Sequence, residues 1–169
     1  DLTGSPKLET LNCTMNQLTV LNITGCTKLV SLNCSMNQLT ALDLTGFSAI
    51  NTLNCASNKL TQLDVSKCAE LVSLNCSSNQ LTVLPVSGLE KLETLLCIGN
   101  QLTSLQVSDQ VTLKKLSATW NRYTVQLDSL NRFYLSDLPG DFQISRVDAD
   151  SWTNAVTDGD AVYAADPSQ

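Results

Sequence analysis

A unit of 21 residues repeats along most of this chain without insertions. Five regular copies follow one another at residues 7–27, 28–48, 49–69, 70–90 and 91–111, and a degraded sixth copy begins at Thr112. With conservative exchanges, each copy has the pattern L-x-x-L-x-C-x-x-N-x-L-T-x-L-x-V/L/I-S/T. A unit this short cannot bury its apolar residues alone. The fixed period therefore predicts a solenoid in which each unit, here called a rung, stacks on its neighbours.

Each rung begins with a strand pattern. In the first copy, Leu11 and Cys13 alternate with polar residues, which is the period of a half-buried strand. Leu18, Leu21 and Ile23 follow at irregular intervals, which predicts a short return segment. Stacking should align the leucines in two inward columns: Leu11, Leu32, Leu53, Leu74, Leu95 and Leu116, and then Leu18, Leu39, Leu60, Leu81 and Leu102.

A column of cysteines is expected beside the leucines: Cys13, Cys34, Cys55, Cys76 and Cys97. Neighbouring strands of a parallel sheet lie about 4.8 Å apart with their side chains parallel. A disulfide needs Cβ atoms about 3.8 Å apart that face each other. We therefore predict that the seven cysteines of the chain are free, mostly buried thiols that pack as small apolar groups. A zinc-binding ladder is the alternative, but the chain has no histidine and no C-x-x-C pair.

One polar column is placed inside the solenoid: Asn16, Asn37, Asn58, Asn79, Asn100 and Asn121. An asparagine side chain can satisfy backbone donors and acceptors of its own rung and of the adjacent rung. A row of exposed turn asparagines is the alternative. The threonines that follow, from Thr19 to Thr124, are expected to bond the backbone beside the turn.

The run Leu29-Val30-Ser31-Leu32-Asn33-Cys34-Ser35-Met36-Asn37-Gln38-Leu39-Thr40 resembles the repeats of bacterial leucine-rich-repeat proteins. The period and the cysteine position are similar to those of the internalins that have a cysteine ladder. This resemblance covers about residues 7–125. It implies a leucine-rich-repeat solenoid, with a curved right-handed stack of parallel strands, a short irregular convex side and a C-terminal cap. It also implies a secreted or surface-attached bacterial protein used for adhesion or protein binding.

Three segments are expected. Residues 1–6 match 43–48, the end of a repeat, and are interpreted as the tail of a preceding truncated repeat. Residues 7–127 form the leucine-rich repeats, five regular and one degenerate, and residues 128–169 form a C-terminal capping segment. Since the sequence starts inside a repeat, a signal peptide and an anchor are expected outside this fragment.

The charge pattern bears on several function classes. The net charge is −6, which argues against nucleic-acid binding because phosphates require clustered Lys and Arg. No stretch approaches the roughly 18 apolar residues of a membrane helix. The absence of histidine, together with cysteines that lack an activating base, argues against an enzyme, and no cofactor is expected. Two acidic pairs, Asp148/Asp150 and Asp158/Asp160, are interpreted as turn residues, with a calcium site as the open alternative.

A binding site is predicted among the outward-facing residues of the strands, a surface here called the strand face and expected to be concave. Its first four rungs carry short, uncharged polar residues. The character then changes, and the candidate binding residues are Leu96, Ile98, Lys115, Trp120 and Arg122. Exposed apolar and aromatic groups beside cations are typical of a protein-binding hot spot. The alternative is that the capping segment folds over Leu96, Ile98 and Trp120.

The favoured hypothesis is a non-enzymatic protein-binding or adhesion module of a secreted bacterial surface protein. Its ligand, a host or bacterial surface protein, would bind the strand face near the C-terminal rungs. The alternatives are a structural spacer or stalk, a carbohydrate-binding module that uses Trp120 and the row from Asn12 to Asn75, and an intracellular effector, because free cysteines suit a reducing compartment. The open strand edge at Leu8, Leu11 and Cys13 also predicts self-association.

Overall fold

The computed structural model describes residues 2, 4–105, 107, 112–118 and 120–121, and the backbone of three strands further on. Six three-residue strands form one parallel sheet in chain order: β1 (Thr10–Asn12), β2 (Ser31–Asn33), β3 (Thr52–Asn54), β4 (Ser73–Asn75), β5 (Thr94–Leu96) and β6 (Lys115–Ser117). Each strand pairs with the next in a register of 21 residues, so that Leu32 faces Leu53 and Leu53 faces Leu74. The predicted solenoid is confirmed.

The core is made by the aligned apolar columns. Leu32, Leu53, Leu74 and Leu95 at the strand centres are almost completely buried, as are Leu39, Leu60, Leu81 and Leu102 on the return segments. Leu11 and Leu18 of the first rung are only half-buried, because β1 is the edge strand and has a neighbour on one side. Burial of each leucine therefore depends on the rungs on both sides of it.

All seven cysteines are free thiols, six of them buried and Cys13 half-buried. Burial raises the pKa of the Cys34 thiol to about 12, and the neighbouring Cys13 sulfur adds to this effect. The pKa of Cys55 is likewise raised, first by burial and then by Cys34. Burial raises the pKa values of Cys13 and Cys76 as well, so these four ladder thiols are protonated at neutral pH.

The asparagine column connects the rungs through the solenoid interior. Asn58 donates through Nδ2 to the carbonyl oxygens of Cys55 at 3.0 Å and of Cys34, one rung earlier, at 3.1 Å. Its Oδ1 accepts from the backbone N–H of Leu39 at 2.9 Å. The same set recurs at Asn37, Asn79 and Asn100. Asn16 differs from the interior position expected for this column: it lies exposed on the edge rung, and within the described residues its side-chain amide donates to the carbonyls of Cys13 and Thr14 of its own rung alone.

A left-handed backbone turn precedes each of these asparagines. The turn residue has a positive φ in every rung: Met15, Met36, Ser57, Ser78, Gly99 and Trp120, with φ between 55° and 65°. This conformation costs about 1–2 kcal/mol for a residue with a Cβ atom. The expected threonine bonds are not formed: Thr19, Thr40, Thr61, Thr82 and Thr103 are exposed, and no hydrogen bond from their hydroxyls occurs within the described residues.

A second, antiparallel sheet lies within the predicted capping segment. It contains β7 (Arg132–Tyr134), β8 (Ala155–Asp158) and β9 (Ala161–Ala164), with β9 between the other two. The expected boundaries at residues 6 and 127 stay predictions. The candidate residues Arg122, Asp148, Asp150 and Asp160 lie outside the described residues, and for Asp158 only the backbone is described. Within the described part of the chain, no helix is long and apolar enough to cross a membrane.

Candidate binding face

The strand face is built from the first and third residue of each three-residue strand and from the residue two positions after the strand ends. Because successive side chains of a strand point to opposite sides, these positions lie outside the leucine core. In the first four rungs the strand residues on this face are Thr10, Asn12, Ser31, Asn33, Thr52, Asn54, Ser73 and Asn75. None of them is charged, and this part of the surface therefore offers only short polar groups.

The strand-face asparagines are engaged in local hydrogen bonds. Asn12, Asn33, Asn54 and Asn75 each accept, through Oδ1, the backbone N–H of the residue two positions later, at 3.1, 3.2, 3.2 and 3.1 Å. This is an Asx-type turn that ends the strand. The asparagine row of the carbohydrate-binding alternative thus has its side-chain oxygens engaged in these turns. The need for an acceptor at the end of each strand explains why asparagine recurs there.

The fifth rung breaks the pattern at two positions. Leu96 is the third residue of β5 and pairs in register with Asn75 of β4 and Ser117 of β6. Ile98 follows two residues later, at the position held by Ser77 in the preceding rung. Both side chains are half-buried rather than enclosed in the core. The structure thus brings two of the predicted binding residues together on one rung of the strand face.

Trp120 lies one rung further, at the left-handed turn after β6. Its φ is 60° and 73% of its surface is exposed. Gly99 occupies the same turn position in the fifth rung and has no side chain, and the three atoms nearest to a Cβ atom placed there all belong to Ser78, at 3.8 Å. The turn column therefore has an open notch between Ser78 and Trp120. The notch was not predicted from the sequence, although the glycine in an otherwise side-chain-bearing column is the signal that would have indicated it.

The charge around this site is low and positive. Lys115, at the start of β6, is exposed and is the only charged residue among the residues of β1–β6. Two lysines that precede β5 and β6 in the sequence form ion pairs: Lys91 Nζ lies 2.6 Å from a Glu70 carboxylate oxygen, and Lys114 Nζ lies 2.7 Å from a Glu93 carboxylate oxygen. Arg122 lies outside the described residues. The strand face is thus neutral to cationic in a chain with a net charge of −6.

Two aspartates of the return segments take part in local turn contacts. The Thr45 side chain, and then the Thr45 backbone N–H that donates to Asp43 at 2.8 Å, hold the pKa of the Asp43 carboxyl below its usual value. The side chain and the backbone N–H of Ser66 lower the pKa of Asp64 in the same way. Both carboxylates are exposed turn acceptors. Among the described residues, no group of three or more cysteines or carboxylates is placed to hold a metal ion.

Comparison with known proteins identifies relatives at the level of structure. The chain is similar to the functional domain of InlJ from Listeria monocytogenes, which includes a cysteine ladder, with 38% identity and a TM-score of 0.72 over 77% of this chain and 29% of that one. A leucine-rich-repeat protein of Leptospira interrogans matches at 29% identity and a TM-score of 0.65, over 70% of this chain and 33% of that one. The chain therefore spans about a third of the length of these relatives.

A further internalin, InlF from Listeria monocytogenes, matches at 22% identity and a TM-score of 0.65, over 74% of this chain and 38% of that one, which supports the fold alone. No protein-family model and no curated protein sequence matches the chain. The 21-residue register, the buried cysteine column and the likeness to the InlJ domain agree with one another. The chain is a bacterial leucine-rich-repeat protein of the cysteine-ladder type that resembles internalin J.

Proposed function

We propose that this chain is a non-enzymatic protein-binding or adhesion module of a secreted bacterial surface protein. Its ligand binds the strand face near the C-terminal rungs, at Leu96, Ile98 and Trp120, with Lys115 and Arg122 at the rim. The observation that carries the proposal is the break at the fifth rung, where Leu96 replaces the asparagine that ends the four preceding strands. That asparagine makes a local hydrogen bond, whereas Leu96 adds apolar surface at the cost of this bond.

Apolar side chains at this position match the anatomy of protein interfaces. Hot spots consist of a few aromatic or aliphatic anchors surrounded by polar groups that exclude water. Trp120 offers the largest exposed ring among the described residues, and Leu96 and Ile98 lie one rung away. The uncharged rungs before them provide a polar rim. The resemblance to the InlJ domain is in accord with a binding role and with export.

The test uses a variant that carries Leu96→Asn, Ile98→Ser and Trp120→Ser. Each substitution installs a residue that the fourth rung has in the same column, namely Asn75, Ser77 and Ser78, so the variant should fold. A control variant with Val20→Ser and Val83→Ser removes exposed valines from the return segments. Each protein is used to capture partners from host mucosal extract and from bacterial envelope, and circular dichroism checks its folding.

We expect the native chain and the valine control to capture a partner that the strand-face variant does not capture. Equal capture by all three proteins would place the site elsewhere. A structural spacer is the second candidate. It is favoured by the regular polar face of the first four rungs, where the asparagine side chains bond to the local backbone. Absence of a specific partner for every protein would support this spacer.

We further propose that the open edge of β1 pairs with a second copy of this chain. Leu8, Leu11 and Cys13 are only half-buried there, and an unpaired strand edge is a template for association. Sedimentation velocity over a range of concentrations tests this. We expect dimers that a Leu8→Lys variant does not form, whereas a native chain that stays monomeric at high concentration would contradict the proposal.

A further inference from the structure

The replacement of asparagine at Leu96 leaves a backbone donor without its partner. In the first four rungs, the N–H two residues after the strand-face asparagine is bonded to that side chain: Thr14, Ser35, Ala56 and Ser77 are the donors. The equivalent donor in the fifth rung is the N–H of Ile98. Leucine has no acceptor atom. Within the described residues, the Ile98 N–H makes no hydrogen bond, although its carbonyl oxygen accepts from Ser78 at 2.7 Å.

The direction of this donor follows from the repeat. In rungs one to four the N–H points to an oxygen on the strand face, and the backbone register is unchanged at β5. The Ile98 N–H therefore points to the strand face, beside the Leu96 side chain. Water can satisfy it in the free protein. A ligand that covers Leu96 must supply an acceptor, because a donor buried without a partner costs most of the affinity gained from apolar contact.

The surroundings select the chemistry of that acceptor. Gly99, which has no side chain, follows Ile98 directly, and Trp120 holds the same turn position on the following rung. Leu96 and Ile98 require an apolar group. Lys115, the one charged residue among the described strands β1–β6, lies at the start of β6, away from the strand end where the donor is. The acceptor needed is therefore a neutral oxygen with an apolar group attached close to it. The peptide carbonyl of an extended segment beside an aliphatic side chain has this combination.

We propose that the site takes an extended, uncharged peptide segment of the protein ligand. One backbone carbonyl of this segment accepts from the Ile98 N–H, and the adjacent aliphatic side chain packs on Leu96 and Ile98. The inference rests on the proposed protein-binding function and specifies which kind of surface the partner presents. It assigns Leu96 two roles, since the leucine provides the apolar contact and also keeps the donor vacant.

Nuclear magnetic resonance of the ¹⁵N-labelled chain tests the donor directly. The probe is N-acetyl-leucine-N-methylamide, in which an isobutyl side chain lies between two amide carbonyls, and the matched control probe is N-acetyl-glycine-N-methylamide. We expect the Ile98 amide of the native chain to exchange rapidly with solvent and to shift on titration with the leucine probe. The glycine probe should bind more weakly. If the Ile98 amide does not respond to the leucine probe, or if both probes act equally, the proposal is wrong.

Two variants separate the donor from the apolar contact. Leu96→Ala removes the isobutyl group and leaves the donor vacant, whereas Leu96→Asn removes it and provides the acceptor found in the other rungs. We expect slow Ile98 amide exchange only in Leu96→Asn. We also expect this variant to bind the probe roughly three- to tenfold more weakly than Leu96→Ala, the amount that one neutral hydrogen bond contributes. Equal affinities of the two variants would refute the role of the donor.

The same pair of variants distinguishes this inference from the proposed function. If capture from the extracts is lost equally in Leu96→Ala and Leu96→Asn, the binding function stands and the peptide-carbonyl contact is rejected. If both variants capture the partner as well as the native chain does, the location of the site in the proposed function is itself wrong.

Discussion

The side-chain amide of Asn79 donates a hydrogen bond of 3.1 Å to the main-chain carbonyl of Cys55, which lies one rung earlier. The same amide donates to Cys76 in its own rung at 3.0 Å, and its oxygen accepts from Leu60 of the earlier rung at 3.0 Å. One buried side chain thus satisfies backbone groups of two rungs. The turns of this solenoid are held together by polar contacts that run along its axis, parallel to the leucine columns.

We predict that Asn79→Ala lowers the free energy of unfolding by about 3 kcal/mol or more. The substitution leaves the Leu60 N–H buried without its partner, which costs about 1–3 kcal/mol. It also removes one of the two side-chain donors to each of the Cys55 and Cys76 carbonyls, and each lost bond costs about 0.5–1.5 kcal/mol more. Urea denaturation followed by circular dichroism measures the change. Asn75→Ala is the matched control, since it removes one half-buried local bond and should cost only about 1 kcal/mol. Equal losses in the two variants would contradict the interior role of Asn79.

Cys55→Ser should destabilise the fold by roughly 1–3 kcal/mol, because it places a hydroxyl in a fully buried apolar column. The measurement is the shift of the urea midpoint. Cys55→Ala, which introduces no polar atom, should cost less than the serine variant. An unchanged midpoint for Cys55→Ser would mean that this residue is not part of the core.

The raised thiol pKa values predict a loss of stability at alkaline pH. The pKa of Cys55 is raised above 9.0 in the folded chain, so the folded state retains a proton that the unfolded state releases. This thiol therefore contributes its full stability below about pH 9, and the contribution falls as the pH rises toward the folded-state pKa. The slope is about 1.4 kcal/mol per pH unit for one such group.

Urea denaturation of the native chain and of Cys55→Ala, between about pH 8 and about pH 11, checks this sign. The stability difference between the two proteins should shrink as the pH rises. A difference that stays constant would show that Cys55 does not titrate differently in the folded and unfolded states. The comparison cancels the titration of lysines, which both proteins share.

The left-handed turn predicts that a glycine can stabilise the chain. Ser57 has a φ of 55°, a conformation that Gly99 occupies two rungs later without a Cβ atom. Ser57→Gly should therefore raise the free energy of unfolding by about 0.5–1 kcal/mol, after the entropy lost by the more flexible glycine is included. Ser77→Gly is the control: this residue has no positive φ, and the substitution should be neutral or destabilising. A loss of thermal stability in Ser57→Gly would argue against strain at the turn.

Much of this architecture follows from the repeat. The six parallel strands, their register of 21 residues and the burial of Leu53 and Leu74 follow from apolar residues that recur at a fixed spacing. The strand-face position of Leu96 follows in the same way, because the period of two places it opposite Leu95. The threonine column was predicted wrongly: a hydroxyl can bond the local backbone, but nothing in a single sequence shows whether the backbone has already found another partner.

The sequence by itself determined the stacking of this protein, because a short repeat that cannot bury its own leucines has only its neighbours to bury them against. Only the tertiary structure decided how polar groups are shared between rungs. The sequence predicts that Asn79 serves its own rung and the adjacent one, but which atoms it reaches depends on the distance between two stacked backbones, which no residue pattern specifies. For the same reason, the unpaired N–H of Ile98 appears only once the bonds of the equivalent residues, such as Ser77, are known.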